Sequence, residues 1–379
     1  MKFLQWNYGV MLMVLITCAC VEPYDPPVDD TDVNYLVVDG FINASDGVVT
    51  VTLTRTLPVA STDMVPSESG AFVALENDQG LQYPLSETEN GIYRGLALNV
   101  SFDNPYRLFI RTNDNDEYAS DYITLKETPV IDSIHYSIET DGIQLAVNTH
   151  DITGKSRHYR WKYWETYEYN SRYNSTYMFD DEEVVVRPND QSIHTCWKTN
   201  LSTNIIVGST ERLRESVVSN FPIMFIPQGS IKLSRIYSLL VQQQTLSNEA
   251  YDYWLNLEKS TENLGGLFDP LPSEVSGNIY STTNPDETVI GFFSGGSVQE
   301  ARIFLRPGDL PKEMSSYNNP SCVLDSILLQ DIGNVSRGTL LVDGIYLMGP
   351  SVVGYTTSMR ECIDCTSFGG TTTRPDFWE

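Results

Sequence analysis

Apolar and polar residues alternate with a period of two along much of the chain. Residues 48–55 (VVTVTLTR) show the pattern plainly: Val49, Val51 and Leu53 share one parity and Thr50, Thr52 and Thr54 the other, which sets the two groups on opposite faces of a strand. Residues 35–42, 71–75, 91–95, 105–112 and 118–125 are predicted strands as well, rich in β-branched and aromatic side chains. Asp46-Gly47, Asp78-Gln79-Gly80 and Asn113-Asp114-Asn115 supply the turns between them. Strands this closely spaced, with no helical stretch between them, predict an immunoglobulin-like β-sandwich over 34–129.

Pro129 breaks the last of these strands and a new apolar alternation begins just beyond it, so the boundary is placed at residue 130. A larger β-rich domain is predicted over 130–379. Its strands are expected over 138–148, 182–187, 192–198, 204–209, 221–226, 277–280, 288–294 and 298–305, with weaker candidates at 323–330 and 344–347. Residues 231–243 are expected to be a long strand in the centre of a sheet. The most unusual run is 158–179 (HYRWKYWETYEYNSRYNSTYMF), where Tyr159, Trp161, Tyr163, Tyr167 and Tyr169 fall at odd positions and so share one face of a strand. That face reads either as a candidate ligand-binding platform, stacking on sugars or peptides, or as core.

The period changes once. Over 247–261 (SNEAYDYWLNLEKST), Ala250, Trp254 and Leu257, with Tyr253, follow the spacing of a buried helical stripe. Ser247 suits the N-cap, Leu246 and Tyr251 occupy the two staple positions, and Glu249 complements the positive end of the helix dipole. Gly265 and Gly266 offer a stop, and Phe268-Asp269-Pro270 with Pro272 a rigid turn.

At the N-terminus, Lys2 is followed by the apolar run 10–16 (VMLMVLI), which fits a secretory leader and is too short to cross a bilayer. Cys20 carries the small Ala19 at −1, the residue size a lipoprotein peptidase accepts, whereas Cys18 would place Thr17 there. Residues 1–19 are therefore expected to be a lipoprotein signal peptide and Cys20 the lipidated residue. Several acyl chains at roughly 0.8 kcal/mol per buried methylene make such attachment effectively permanent. Residues 20–33 (CVEPYDPPVDDTDV), rich in Pro and Asp, read as an extended tether. Its Asp25, Asp29 and Asp30 resemble the acidic signals that send lipoproteins of Bacteroidota to the cell surface.

Charge narrows the partners. Lys and Arg number 24 against 50 Asp and Glu, a net charge of −26, so a nucleic acid partner is not expected. Cysteine use points to an oxidising compartment: beyond Cys20 there remain Cys196, Cys322, Cys362 and Cys365, which are expected to form structural disulfides in one of three pairings. His135, His150, His158 and His194 show no zinc-ligand spacing. A Gly-x-Ser-x-Gly elbow, a His-Glu-x-x-His helix and an EF-hand run are all absent, and the acids Asp180, Asp181, Glu182 and Glu183 read as a solvated loop. Neither an enzymatic activity nor a cofactor or metal is expected. Asp132-Ser133-Ile134 and Asp325-Ser326-Ile327 match a short pattern at which Bacteroidota O-glycosylate exported proteins.

Cys20-Val-Glu-Pro-Tyr-Asp, Leu36-Val-Val-Asp-Gly-Phe-Ile, the Leu246-Ser-Asn-Glu-Ala-Tyr-Asp-Tyr-Trp core, Gly277-Asn-Ile, Val289-Ile-Gly-Phe-Phe and the terminal run 362–378 (CIDCTSFGGTTTRPDFW) together carry a resemblance. The chain resembles a Bacteroidota lipoprotein family catalogued as domain of unknown function 4249. Thr17, at −3 of the lipobox, departs from its pattern. The resemblance implies an accessory or ligand-binding partner of a TonB-dependent receptor in nutrient uptake, lipid-anchored in the outer membrane and exposed at the cell surface. A structural or adhesive envelope lipoprotein with no transport role is the alternative. The family supplies no catalytic residues to carry over.

Overall fold

The computed structural model describes residues 34–58, 61, 63–96, 98–181, 183–261, 277–317, 321–347 and 349–378. The expected signal peptide, the tether with Cys20, and the glycine pair and proline turn after the helix lie outside the described residues. The fold is mainly β, as the alternation predicts.

The first sandwich packs two sheets face to face. One sheet orders its strands Ile290–Gly296, Leu36–Asn43, Val48–Arg55, Ile92–Gly95, Ser86–Glu89. The other orders them Ile279–Ser281, Glu117–Ser120, Pro105–Arg111, Phe72–Asn77, Gln82–Pro84, with Ile123–Thr124 also paired to Pro105–Arg111. Parity decides what is buried: Val49, Val51 and Leu53 are sealed from solvent while Thr50, Thr52 and Thr54 are only partly covered. They meet Val73, Leu75, Leu108 and Ile110 from the facing sheet in one core.

The expected division at residue 130 does not hold as a division of the sequence. Leu36–Asn43 pairs in parallel with Ile290–Gly296, from Val37 opposite Ile290 to Asn43 opposite Gly296. Ile279–Ser281 pairs with Glu117–Ser120 in the facing sheet, and Phe293, fully buried, enters the same core. A parallel pair needs a crossover, and here the connection runs through most of the first sandwich and all of the second unit but its strand Val298–Leu305. The chain leaves the first sandwich near Pro129 and comes back to complete it.

That second unit is also a sandwich. Ile131–Ile138, Gly142–Asp151 and Ser216–Pro227 form one sheet; the other runs Thr195–Leu201, His158–Asn170, Tyr237–Leu246, Val298–Leu305, with Ile206–Ser209 also paired to His158–Asn170. Residues 231–243 are not a single strand. Ile231–Leu233 makes a 3₁₀ turn capped by Ser230, whose hydroxyl accepts from the Lys232 amide, and the turn drops Leu233 into the core before Tyr237–Leu246 begins. That strand is central, between His158–Asn170 and Val298–Leu305.

The helix Asn248–Thr261 forms where its capping residues place it. The Ser247 hydroxyl accepts from the Ala250 amide at 3.1 Å, and Ala250, Tyr253 and Trp254 are buried. They pack on Val207 and Leu246 of the second sandwich and on Phe292 of the first, so the helix seals the seam between the two. A C-terminal lobe follows, built on Asp325–Leu328, Val352–Met359 and Thr339–Tyr346. Two disulfides tie it down: Cys196–Cys365 to the central sheet, and Cys322–Cys362 within the lobe.

Candidate functional site

The aromatic strand is core. Tyr159, Trp161 and Tyr169 are fully buried, Tyr167 nearly so, and Tyr163 is half-buried. The sheet containing Gly142–Asp151 and Ser216–Pro227 covers the face they share. Trp161 stacks on Phe221 with ring centroids 4.5 Å apart. Its indole N–H donates to Gln243 Oε1 at 2.9 Å, and the Gln243 amide donates in turn to the Pro129 carbonyl and to Thr149 Oγ1. The Tyr159 hydroxyl donates to the Ser156 carbonyl and that of Tyr169 to the Cys365 carbonyl. The polar tips of Tyr159, Trp161 and Tyr169 are satisfied from within, as a buried aromatic requires. The platform expectation is therefore corrected: a second sheet lies where a ligand would have stacked.

The opposite parity of the same strand carries Arg160, Lys162 and Glu168, while Glu165 stands among the aromatics and pairs with Lys232 at 2.8 Å. Arg160 lies with its guanidinium 3.4 Å from the Trp254 ring centroid, and Lys162 follows on the same face. Burial pulls Arg160 down to about 10 and lowers Lys162 as well. Neither forms an ion pair among the described residues; the Asp39 carboxylate opposes the effect of burial on both.

The arrangement with the features of a ligand site is a cleft of about 450 Å³ where the two sandwiches meet. Four separate segments build it. The first sandwich contributes Asp121, Tyr122 and Lys126; the end of the central strand contributes Thr245; the helix start contributes Ser247 and Glu249; and the returning strand contributes Phe292. At its base Asn278 is buried, its side-chain amide bonded to the main chain of Phe293. Glu249 is held below the usual carboxylate range by its own backbone amide and the Ser247 hydroxyl, with Lys126 adding to the effect. The Tyr122 ring is 47% exposed and Arg107 stands over it at 5.1 Å. The Thr245 amide donates to Thr128 Oγ1 at 2.9 Å, while its own hydroxyl is buried with no partner among the described residues.

None of these cleft residues is singled out as a site by the sequence, apart from Ser247 and Glu249 in their capping roles. They come from points as far apart as 121 and 292 and sit in no motif. No group of three or more His, Cys, Asp or Glu side chains among the described residues is placed to hold a metal ion.

Fold and site define a class: a double β-sandwich whose first sandwich is completed by a returning strand, with a polar cleft at the seam under a single helix. The family described as Domain of unknown function (DUF4249) matches residues 21–302, and the chain belongs to it. The match runs from the tether through both sandwiches into Val298–Leu305; the run 362–378, part of the resemblance, lies beyond it. No curated protein matches the sequence.

Proposed function

We propose that the protein is a lipid-anchored outer-membrane protein, exposed at the cell surface, that serves a TonB-dependent receptor as an accessory or ligand-binding partner in nutrient uptake. The observation that carries this reading is the run Leu15-Ile-Thr-Cys-Ala-Cys20 followed by an acidic, proline-rich tether. An acylated Cys20 fixes the protein at a membrane face. A tether over 20–33 can span at most roughly 50 Å when extended, enough for the described body, from Asn34 onward, to lie over a neighbouring membrane protein. Membership of the family supports the reading, and so does the seam cleft, a place where small ligands bind in other two-unit proteins. On this account the ligand enters through the seam beside the helix, not along the aromatic strand.

Affinity purification of the tagged protein from detergent-solubilised outer membranes tests the partnership. Recovery of a TonB-dependent receptor in stoichiometric amount is expected. Recovery of the protein without one, together with normal nutrient uptake and altered envelope integrity in a deletion strain, contradicts it and favours a structural envelope role.

A further inference from the structure

Strand His158–Asn170 carries two cations that the described residues leave unmatched. Elsewhere, partly covered cations mostly have oxygen partners. Arg55, Arg107 and Lys232 pair with glutamates at 2.6–2.8 Å, while Arg157, Arg187 and Arg302 donate to carbonyl or hydroxyl oxygens. Arg160 and Lys162, equally covered, form no ion pair and no side-chain hydrogen bond among the described residues. A partly buried charge without a counter-charge costs free energy, which an apolar side chain of similar length would avoid. Their nitrogens are nonetheless open to solvent: neither side chain has a sealed, partnerless nitrogen, unlike Trp254 beside them, whose Nε1 is closed off.

The neighbours indicate what the two cations suit. Two residues apart on one strand, they stand on the same side of the sheet, about 7 Å from each other. That side meets the helix Asn248–Thr261, where the Arg160 guanidinium lies 3.4 Å from the Trp254 ring centroid. Stacking fixes the plane of the guanidinium and leaves its in-plane N–H groups, the ones that grip an oxyanion, free of the ring. Across the ladder Gln244 faces Arg160 and Gln242 faces Lys162. The Gln244 amide donates to Gln242 Oε1 and the Gln242 amide to Glu300, so these neighbours bring no carboxylate to either cation. On the other flank Arg160 faces Val207. Asp39, exposed on Leu36–Asn43, acts on both cations without pairing with either. Two adjacent cations are thus held open in a chain of net charge −26. A neutral molecule would leave both unmatched, and a cation would add to them. An anion with several oxygens satisfies both, two oxygens in the guanidinium fork and another on the ammonium.

We propose that Arg160 and Lys162, with the Trp254 ring holding the guanidinium in place, form a binding site for an oxyanion, a carboxylate or phosphate group, beside the helix. The assignment deepens the ligand-binding reading above, on which its role rests, but it is tested on the purified protein without a receptor. Loss of receptor co-purification with anion binding intact would overturn the partnership alone, and the reverse result would overturn the anion site alone.

The test is calorimetry on the purified full chain, in chloride buffer, with citrate, glutamate, inorganic phosphate and pyrophosphate at millimolar concentration. At least one of these anions is expected to bind, and which of them binds distinguishes a carboxylate from a phosphate ligand. Lys162→Met should weaken that binding by about tenfold or more, the effect of one charge-assisted contact, and Arg160→Met should do the same. Thermal unfolding without ligand separates this role from a structural one: removal of an unmatched charge should leave the midpoint of Lys162→Met unchanged or higher. Three results would overturn the proposal: no binding by any of the four anions, binding that neither substitution changes, or a clear fall in the Lys162→Met midpoint, which would show that the ammonium has a structural partner.

Discussion

Asn278 holds the main chain of Phe293 in both directions: its Nδ2 donates to the Phe293 carbonyl and the Phe293 amide donates to its Oδ1, each at 2.8 Å. Ile290–Gly296 is the last strand of its sheet on that side, and a buried side-chain amide occupies the edge where a further strand would otherwise pair. The neighbouring backbones are correspondingly close. A Cβ on Gly277 would lie 1.5 Å from the Gly291 carbonyl oxygen, and Gly291 has φ +133° with the Val38 carbonyl against it. The Gly277-Asn278-Ile279 run thus locks the returning segment into the first sandwich.

Asn278→Ala leaves two buried backbone groups of Phe293 without partners, at about 1–3 kcal/mol each. A drop of several degrees in thermal midpoint is expected, together with faster amide exchange in 290–296. An unchanged midpoint would show that the edge is not held by this side chain.

Substitution in the aromatic strand should act through stability. Trp161→Ala removes a fully buried indole and is expected to cost about 3–5 kcal/mol. Gln243→Leu strands the Trp161 N–H and the Pro129 carbonyl and should destabilise by a smaller amount. Chemical denaturation measures both. Neither should change ligand binding in the fraction that remains folded.

The two disulfides close loops of 169 and 40 residues. In the chain-entropy account they contribute about 5 and about 4 kcal/mol, respectively. Cys365→Ser is expected to release the terminal segment that the Tyr169 hydroxyl and the Trp197–Thr371 pairing now hold. Limited proteolysis should then cut after residue 360 while the two sandwiches stay resistant.

Stability should fall as the medium is acidified below neutrality. Burial pushes His158 below the ordinary histidine value of about 6.5. The ring stacks on Tyr251 with Glu211 3.9 Å away, and Asp252 and Asn248 pull in the opposite direction without overcoming the burial. His194 is lowered by the same cause. An unfolded chain takes up these protons first, so the stabilisation is full above about pH 6.5 and declines as pH falls toward the lower folded values. The His150–Asp132 pair has the opposite sign, but it is on the surface and screened. Thermal midpoints from about pH 7.5 to about pH 5.5 should fall for the native chain and fall less for His158→Gln. Glu76 and Asp151, held below the usual carboxylate range, lose their contribution only at lower pH.

Local pattern reveals what is local. The parity of Val49, Val51 and Leu53 predicts their burial, and Ser247 predicts the helix start to within a residue. Strand parity cannot say what covers a face, so the odd residues of 158–170 read as platform or, more often, as core until the second sheet is seen. Nor can it say which sheet a strand joins: 288–294 looks like any apolar run, and its return to Leu36–Asn43 depends on pairing across some 250 residues. Strand Val352–Met359, with Gly354 and a row of hydroxyls, has too weak an alternation to stand out. The cleft was illegible for the same reason as the pairing, because Tyr122, Thr245 and Phe292 meet only in three dimensions.

Both the anchor and the place of work follow from Cys20. Mass spectrometry of the N-terminal peptide, from protein purified out of outer membranes, tests it directly. The expected peptide begins at Cys20, continues into Val21-Glu22-Pro23, and carries the added mass of a diacylglyceryl group with or without a further acyl chain. An unmodified N-terminus, or lipid on another residue, would contradict it.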